Sequence, residues 1–298
     1  MRLIACQFDI AWEDKPANFD RVRRALDRSD VTPGALVVLP EMFATGFSMN
    51  VPVVAESAAR ETEAFLSRVA AELEVHVLAG LVTAGSDGRG RNEAVAFGPD
   101  GAELARYSKL HPFTAAGEKE HYAPGHEVVL FRWGEITVAP FICYDLRFPE
   151  VFRAAALRGA ELFAVIANWP AAREMHWTTL LRARAIENQA YVVGVNRCGR
   201  DPYQEYSGRS AIIGPRGDVV AEAAAGEGSV VGDVDRSEVV EYRRDFSPLR
   251  DVRAEYCGGP GGYELVVGHG DSDVGECRDE GVLERNSERR GTILPPAR

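Results

Sequence analysis

Three residues of this chain have side chains suited to covalent chemistry and stand in equivalent places: Glu41, Lys109 and Cys143. Glu41 follows Ala35-Leu36-Val37-Val38-Leu39-Pro40, Lys109 follows Leu104-Ala105-Arg106-Tyr107-Ser108, and Cys143 follows Val138-Ala139-Pro140-Phe141-Ile142. Each run reads as a strand. In layered α/β proteins, sites gather outside the carboxyl ends of strands, where a side chain sits on rigid scaffold yet reaches a cleft. Together the three make a consistent set. A base takes the thiol proton, the thiolate attacks a carbonyl carbon, and a fixed cation stabilises the oxyanion.

Each residue also has an ordinary alternative. Cys143 can be a small buried hydrophobe, the assignment given to Cys6 and Cys198. Glu41 can pair with a structural arginine, and Lys109 can be a surface lysine at a strand end. Context favours chemistry. A carboxylate directly after aliphatics and a proline is partly desolvated, which raises its pKa toward a general base's. Past Cys143 come a turn and a helix start, where backbone N–H groups stabilise a thiolate and the Tyr144 N–H can face an oxyanion. The six histidines form no H-E-x-x-H pattern and no Cys/His cluster, so no metal is expected. No glycine-rich phosphate loop is present, so no nucleotide cofactor is expected either.

The elements that must position these groups alternate between strand and helix. Strand-like runs cover residues 2–8, 35–39, 75–81, 161–167, 191–195 and 229–234. Helical spacing covers 18–28, 57–73, 149–158, 174–189 and 237–244. Turn signals at Gly98-Pro99-Asp100-Gly101, Trp133-Gly134 and Gly214-Pro215-Arg216-Gly217 predict three hairpins. Helices on sheet faces plus hairpins predict a layered α/β domain with mixed sheets.

Residues 1–253 carry this pattern. Residues 254–298 hold 9 of the chain's 29 glycines without apolar periodicity, which predicts a poorly ordered tail, functionless or regulatory. With 298 residues, 46% hydrophobic and 27% charged, the chain can bury a core without staples. Its net charge of −11 disfavours nucleic acid and anionic membrane surfaces. No apolar run reaches a membrane span, and five scattered cysteines suit free thiols in the cytoplasm.

Beyond these features, the sequence resembles the nitrilase superfamily of carbon–nitrogen hydrolases over about residues 1–251. The resemblance rests on Ile4-Ala5-Cys6-Gln7, Leu39-Pro40-Glu41-Met42-Phe43, Tyr107-Ser108-Lys109-Leu110-His111 and Cys143-Tyr144-Asp145-Leu146-Arg147-Phe148-Pro149. Ala167-Asn168-Trp169-Pro170 and Arg182-Ala183-Arg184-Ala185-Ile186-Glu187-Asn188-Gln189 follow in order. It implies a four-layer α-β-β-α sandwich, a homodimer, no cofactor, and a Glu41–Lys109–Cys143 triad. It also implies a second glutamate after the lysine, at Glu118 with Glu120 as local rival.

Within the superfamily the sequence is most similar to the omega-amidase branch, which hydrolyses the terminal amide of 2-oxo acid amides such as 2-oxoglutaramate. A small anionic substrate would need local cations in an acidic protein. Arg147 and Arg173 are candidates, with a structural salt bridge the favoured role for Arg147. Phe47, Phe113 and Trp169 are candidate pocket walls. The competing readings are another C–N substrate, such as an N-carbamoyl compound or a nitrile, and a non-catalytic binding module.

Overall fold

The computed structural model describes residues 1–253 and 264–267. The first half contains β1 (Arg2–Gln7), α1 (Lys15–Asp27), β2 (Leu36–Val38), α2 (Val51–Val54), α3 (Glu61–Leu73), β3 (His76–Ala84), β4 (Gly90–Phe97), β5 (Glu103–Ser108) and α4 (Glu118–His121). Next come β6 (Glu127–Trp133), β7 (Ile136–Ile142), α5 (Pro149–Leu157), β8 (Leu162–Ala167), α6 (Glu174–Asn188) and β9 (Tyr191–Asn196). The last part holds β10 (Cys198–Arg200), β11 (Glu205–Ser207), β12 (Ala211–Ile213), β13 (Val219–Glu222), β14 (Gly228–Asp233), α7 (Arg236–Asp245) and β15 (Glu264–Val267).

The strands form two mixed sheets, ordered β14-β1-β2-β3-β4-β5 and β13-β12-β9-β8-β7-β6-β15, plus the small β10-β11 hairpin. β1, β2 and β3 are parallel, as are β7, β8 and β9. The three expected hairpins are present as β4-β5, β6-β7 and β12-β13.

Side-chain alternation explains the layering. Along β1, Leu3 and Ala5 join the core between the sheets. Ile4 and Cys6 turn the other way, toward Val22 and Leu26 of α1 and Phe65, Leu66 and Val69 of α3. On the second sheet every residue of β8 is buried, because the first sheet covers one face and α5 and α6 the other. Val151 and Phe152 of α5 and Trp177 and Leu181 of α6 supply that outer layer. The result is the α-β-β-α sandwich.

Several elements were not legible in the sequence. The one-turn helices α2 and α4 and the β10-β11 hairpin are too short to show periodicity. Residues 254–298 read as a tail with no strand, yet Glu264–Val267 runs parallel to β6 at the sheet edge. Its Leu265-Val266-Val267 run is apolar with two β-branched valines, and the open edge of β6 offers unpaired backbone groups. The remainder of the expected tail lies outside the described residues. Among the described residues, no helix is long and apolar enough to cross a membrane.

Candidate active site

Glu41, Lys109 and Cys143 leave β2, β5 and β7 at one edge of the sandwich, where the two sheets face each other. After β2 the chain stays against β3: Leu39 N donates to Leu78 O at 2.9 Å, Gly80 N to Pro40 O at 3.2 Å, and Phe43 N to Gly80 O at 3.1 Å. This close approach requires Gly80. A Cβ there would lie 2.5 Å from both Glu41 Cα and Met42 N.

The Glu41 carboxylate is fully buried and surrounded by donors. Its Oε1 accepts from Lys109 Nζ at 3.0 Å and from Asn92 Nδ2 at 2.8 Å. Its Oε2 accepts from Asn168 N at 2.8 Å and Asn168 Nδ2 at 3.3 Å.

Lys109 Nζ, also buried, contacts Glu118 Oε1 at 3.0 Å and Oε2 at 2.8 Å. Glu118 opens α4 and is fully buried, whereas Glu120 is exposed two residues on. Burial therefore selects Glu118 over its rival. Its Oε2 also accepts from Phe113 N at 2.5 Å, and Asn92 Nδ2 reaches its Oε1 at 2.9 Å. Asn92 thus bridges both carboxylates. Burial raises the Glu118 pKa, with the Glu41 charge adding to it and the Lys109 charge only partly opposing. For Lys109, burial acts downward, but the two carboxylates win and raise its pKa. The lysine is an ammonium at every working pH.

Cys143 opens a 3-10 turn, Cys143–Arg147, with φ of 47°, a left-handed conformation uncommon for a side-chain-bearing residue. The α-helix begins only at Pro149, so no helix dipole acts directly on the sulfur. The thiolate stabilisation expected from a helix start is accordingly overridden. Burial first, and then the Glu41 charge, push the thiol pKa well above the ordinary value, despite Lys109. A thiol held this way needs a base if it is to act as a nucleophile.

That sets a labelling prediction. Cys6 and Cys198 are buried, with thiols pushed up to about 12 and about 11 by desolvation. Cys143 is half-buried, so brief iodoacetamide treatment should modify it at least ~10-fold faster than either, as read by mass mapping. Because its pKa is raised, the thiolate fraction keeps growing with pH. The rate should still climb between pH 8 and 9.5. Earlier labelling of Cys6 or Cys198, or a plateau below pH 8, would contradict this assignment.

Beside Cys143 lies a cavity of about 80 Å³, room for several waters or a small acyl chain. Phe47, Phe113, Arg147, Trp169 and Arg173, the expected wall and cation residues, all line it, as does Tyr144. Arg147 lies 4.7 Å over the Trp169 ring, and Arg173 5.5 Å over Phe113. The salt bridge favoured for Arg147 is not there. Among the described residues neither guanidinium has a carboxylate partner; Arg147 Nη2 meets His176 Nδ1 at 3.2 Å. Burial, followed by the nearby Arg173 charge, lowers the Arg147 pKa.

Sequence reasoning missed Asn92, Asn168, Gln204 and Tyr206, the last two also lining the cavity. Asn168 was findable, because it ends the apolar run of β8 as Glu41 ends that of β2. Asn92 lies within a strand and gave no local signal.

Comparison with known proteins agrees with this geometry. Residues 2–244 match the carbon-nitrogen hydrolase family. An omega-amidase of Yersinia enterocolitica is 38% identical over 259 residues, covering 85% of this chain and 96% of that protein. A 2-oxoglutaramate amidase of Bacillus subtilis is 33% identical, covering 85% of this chain and 98% of its own. A crystal structure from Xanthomonas campestris, of a CN-hydrolase superfamily protein with an arsenic adduct in its active site, matches with a TM-score of 0.79. It is 32% identical and covers 85% of this chain and 97% of that one. This chain belongs to the carbon-nitrogen hydrolase family of the nitrilase superfamily, and is similar to members of its omega-amidase branch.

Proposed function

We propose that the protein is an amidase that hydrolyses the terminal amide of a small 2-oxo acid amide, of the 2-oxoglutaramate kind, to the carboxylate and ammonia. One observation carries the reading. A half-buried thiol, backed by the buried Glu41–Lys109–Glu118 cluster, opens on a small cavity holding two guanidiniums that have no carboxylate partner among the described residues. The thiol supplies the nucleophile, and the two guanidiniums suit a substrate carboxylate.

In this mechanism Glu41 takes the Cys143 proton as sulfur attacks the amide carbon, forming the C–S bond and an oxyanion. The Tyr144 N–H and Lys109 Nζ hold the oxyanion. The C–N bond then breaks, with Glu41 returning the proton to the leaving nitrogen as ammonia. Glu41 next takes a proton from water, whose oxygen attacks the thioester, and gives it to the departing sulfur. Glu118 holds Lys109 in place. Arg147 and Arg173 bind the carboxylate between walls made by Phe47, Phe113 and Trp169. Residues 1–253 form the hydrolase domain, working as a cytoplasmic homodimer.

Ammonia release across a small panel tests the substrate. The 2-oxo acid amide should exceed a neutral amide of equal length in kcat/KM by at least ~10²-fold, on the scale of charged hydrogen bonds. Arg147→Ala and Arg173→Ala should each raise KM about 10-fold or more with kcat nearly kept. Good turnover of an N-carbamoyl compound or nitrile, with none of the 2-oxo acid amide, would reassign the substrate. No release from any panel member would favour a binding module.

A further inference from the structure

Asp145 lies two residues past Cys143 and is completely buried, yet it does not line the cavity. No lysine or arginine pairs with it among the described residues. It makes four hydrogen-bond contacts instead. Its Oδ2 takes Ile142 N at 3.0 Å and Tyr107 Oη at 2.7 Å. Its Oδ1 takes His111 N at 2.9 Å and meets His111 Nδ1 at 2.8 Å. The pattern of partners is specific. Tyr107 and His111 flank Lys109 two residues before and two after, and Ile142 directly precedes Cys143. One carboxylate therefore ties both sides of the lysine to the entry of the cysteine turn, across the junction between the two sheets.

The second half of the turn is tied to the same place. Phe148 N donates to Asp145 O at 2.9 Å, and the Phe148 ring stacks on the His111 ring at 3.7 Å between centroids, 7° from parallel. Cys143 sits between these two ties in its left-handed conformation, which surrounding structure must impose.

We propose that Asp145 is a positioning residue: a buried carboxylate clamp that sets the distance and angle between the Cys143 thiol, the Tyr144 N–H and the Lys109 ammonium. The inference rests on Cys143 as nucleophile and Lys109 as oxyanion donor. It does not depend on which amide is the substrate. Three donors, Ile142 N, Tyr107 Oη and His111 N, point at its two oxygens, so each oxygen must act as an acceptor. An amide at this position would turn an N–H toward at least one of them.

Asp145→Asn, which keeps the shape, tests the clamp, with Tyr107→Phe as the milder cut. Both are compared with wild type on whichever amide wild type hydrolyses fastest, with folding followed by circular dichroism. Asp145→Asn should lower kcat by at least ~10²-fold with KM changed less than about 3-fold, since misplacement near 1 Å costs that much. It should also slow Cys143 alkylation at least ~5-fold, a readout that needs no substrate. In a Lys109→Ala background the same change should cost far less, because the distance it guards no longer matters.

A folded Asp145→Asn enzyme with near-normal kcat and alkylation would overturn the proposal. So would losses that simply add to those of Lys109→Ala, which would mark a general structural role. If Asp145→Asn does not fold, Tyr107→Phe decides: a several-fold drop in kcat at unchanged KM supports the clamp, and wild-type kcat refutes it. Failure of the 2-oxo acid amides alone leaves the alkylation arm intact and separates the two readings.

Discussion

The Glu41→Gln protein is expected to fold, to bind its amide with nearly unchanged KM, and to turn over at least ~10³-fold more slowly, within the range for a lost general base. The hydrogen bonds around Glu41 explain why the substitution is severe without being large. All four partners, Lys109 Nζ, Asn92 Nδ2, Asn168 N and Asn168 Nδ2, are donors to its two oxygens. Glutamine has the same shape but offers one acceptor atom, and its NH₂ must face donors on one side. It also cannot take the Cys143 proton, and burial and the Glu41 charge raise that thiol's pKa. Acylation and thioester hydrolysis both lose their base, so no single step is spared. Burst kinetics with stopped-flow ammonia detection would read this directly. A Glu41→Gln enzyme within 10-fold of wild-type kcat would remove Glu41 from the mechanism.

Lys109→Ala should lower kcat by at least ~10²-fold, the scale for loss of one oxyanion donor, with KM far less affected because the carboxylate is bound elsewhere. In the resting site all three ammonium protons are engaged, on Glu41 Oε1 and on both oxygens of Glu118. An oxyanion must take one of them. Glu118, contacted twice, can release one and remain paired. Without the ammonium, two buried carboxylates face each other through Asn92, and one must take up a proton. Stability should therefore fall too, by about 3–5 kcal/mol as for a broken buried pair, so folding is checked alongside activity. Lys109→Arg should stay impaired, because a planar guanidinium does not fit a site that leaves the lysine about 1% exposed. Near-normal kcat with a greatly raised KM for Lys109→Ala would make Lys109 the carboxylate ligand instead.

Much of this site was legible before any coordinates. Apolar runs and turn residues are local signals, so strands 2, 5 and 7 and the residues just past them could be read directly. The family resemblance then pointed to Glu118 and offered Phe47, Phe113, Arg147, Trp169 and Arg173 as candidates, and these five line the cavity. Hydrophobic periodicity also located α3, α5 and α6 to within a few residues, because each must bury a stripe against a sheet.

What the tertiary structure alone decided concerns pairs of residues far apart in the chain. Lys109 meets Glu41 across 68 positions, and Asn168 meets Glu41 across 127. Gly80 is unremarkable within its strand until Glu41 lies against it. Arg147 looked like a salt-bridge residue because sequence shows charge but not partners, and the structure gives it tryptophan and histidine instead. Helix-start reasoning pointed to an acidified Cys143 thiol; burial beside Glu41 reverses the direction. Asp145 was visible as a letter in a motif, but its role depends on Tyr107 and His111, more than 30 residues upstream. Strand patterning is set by neighbours along the chain, whereas hydrogen bonding and desolvation are set by neighbours in space, and only the folded sandwich brings those together.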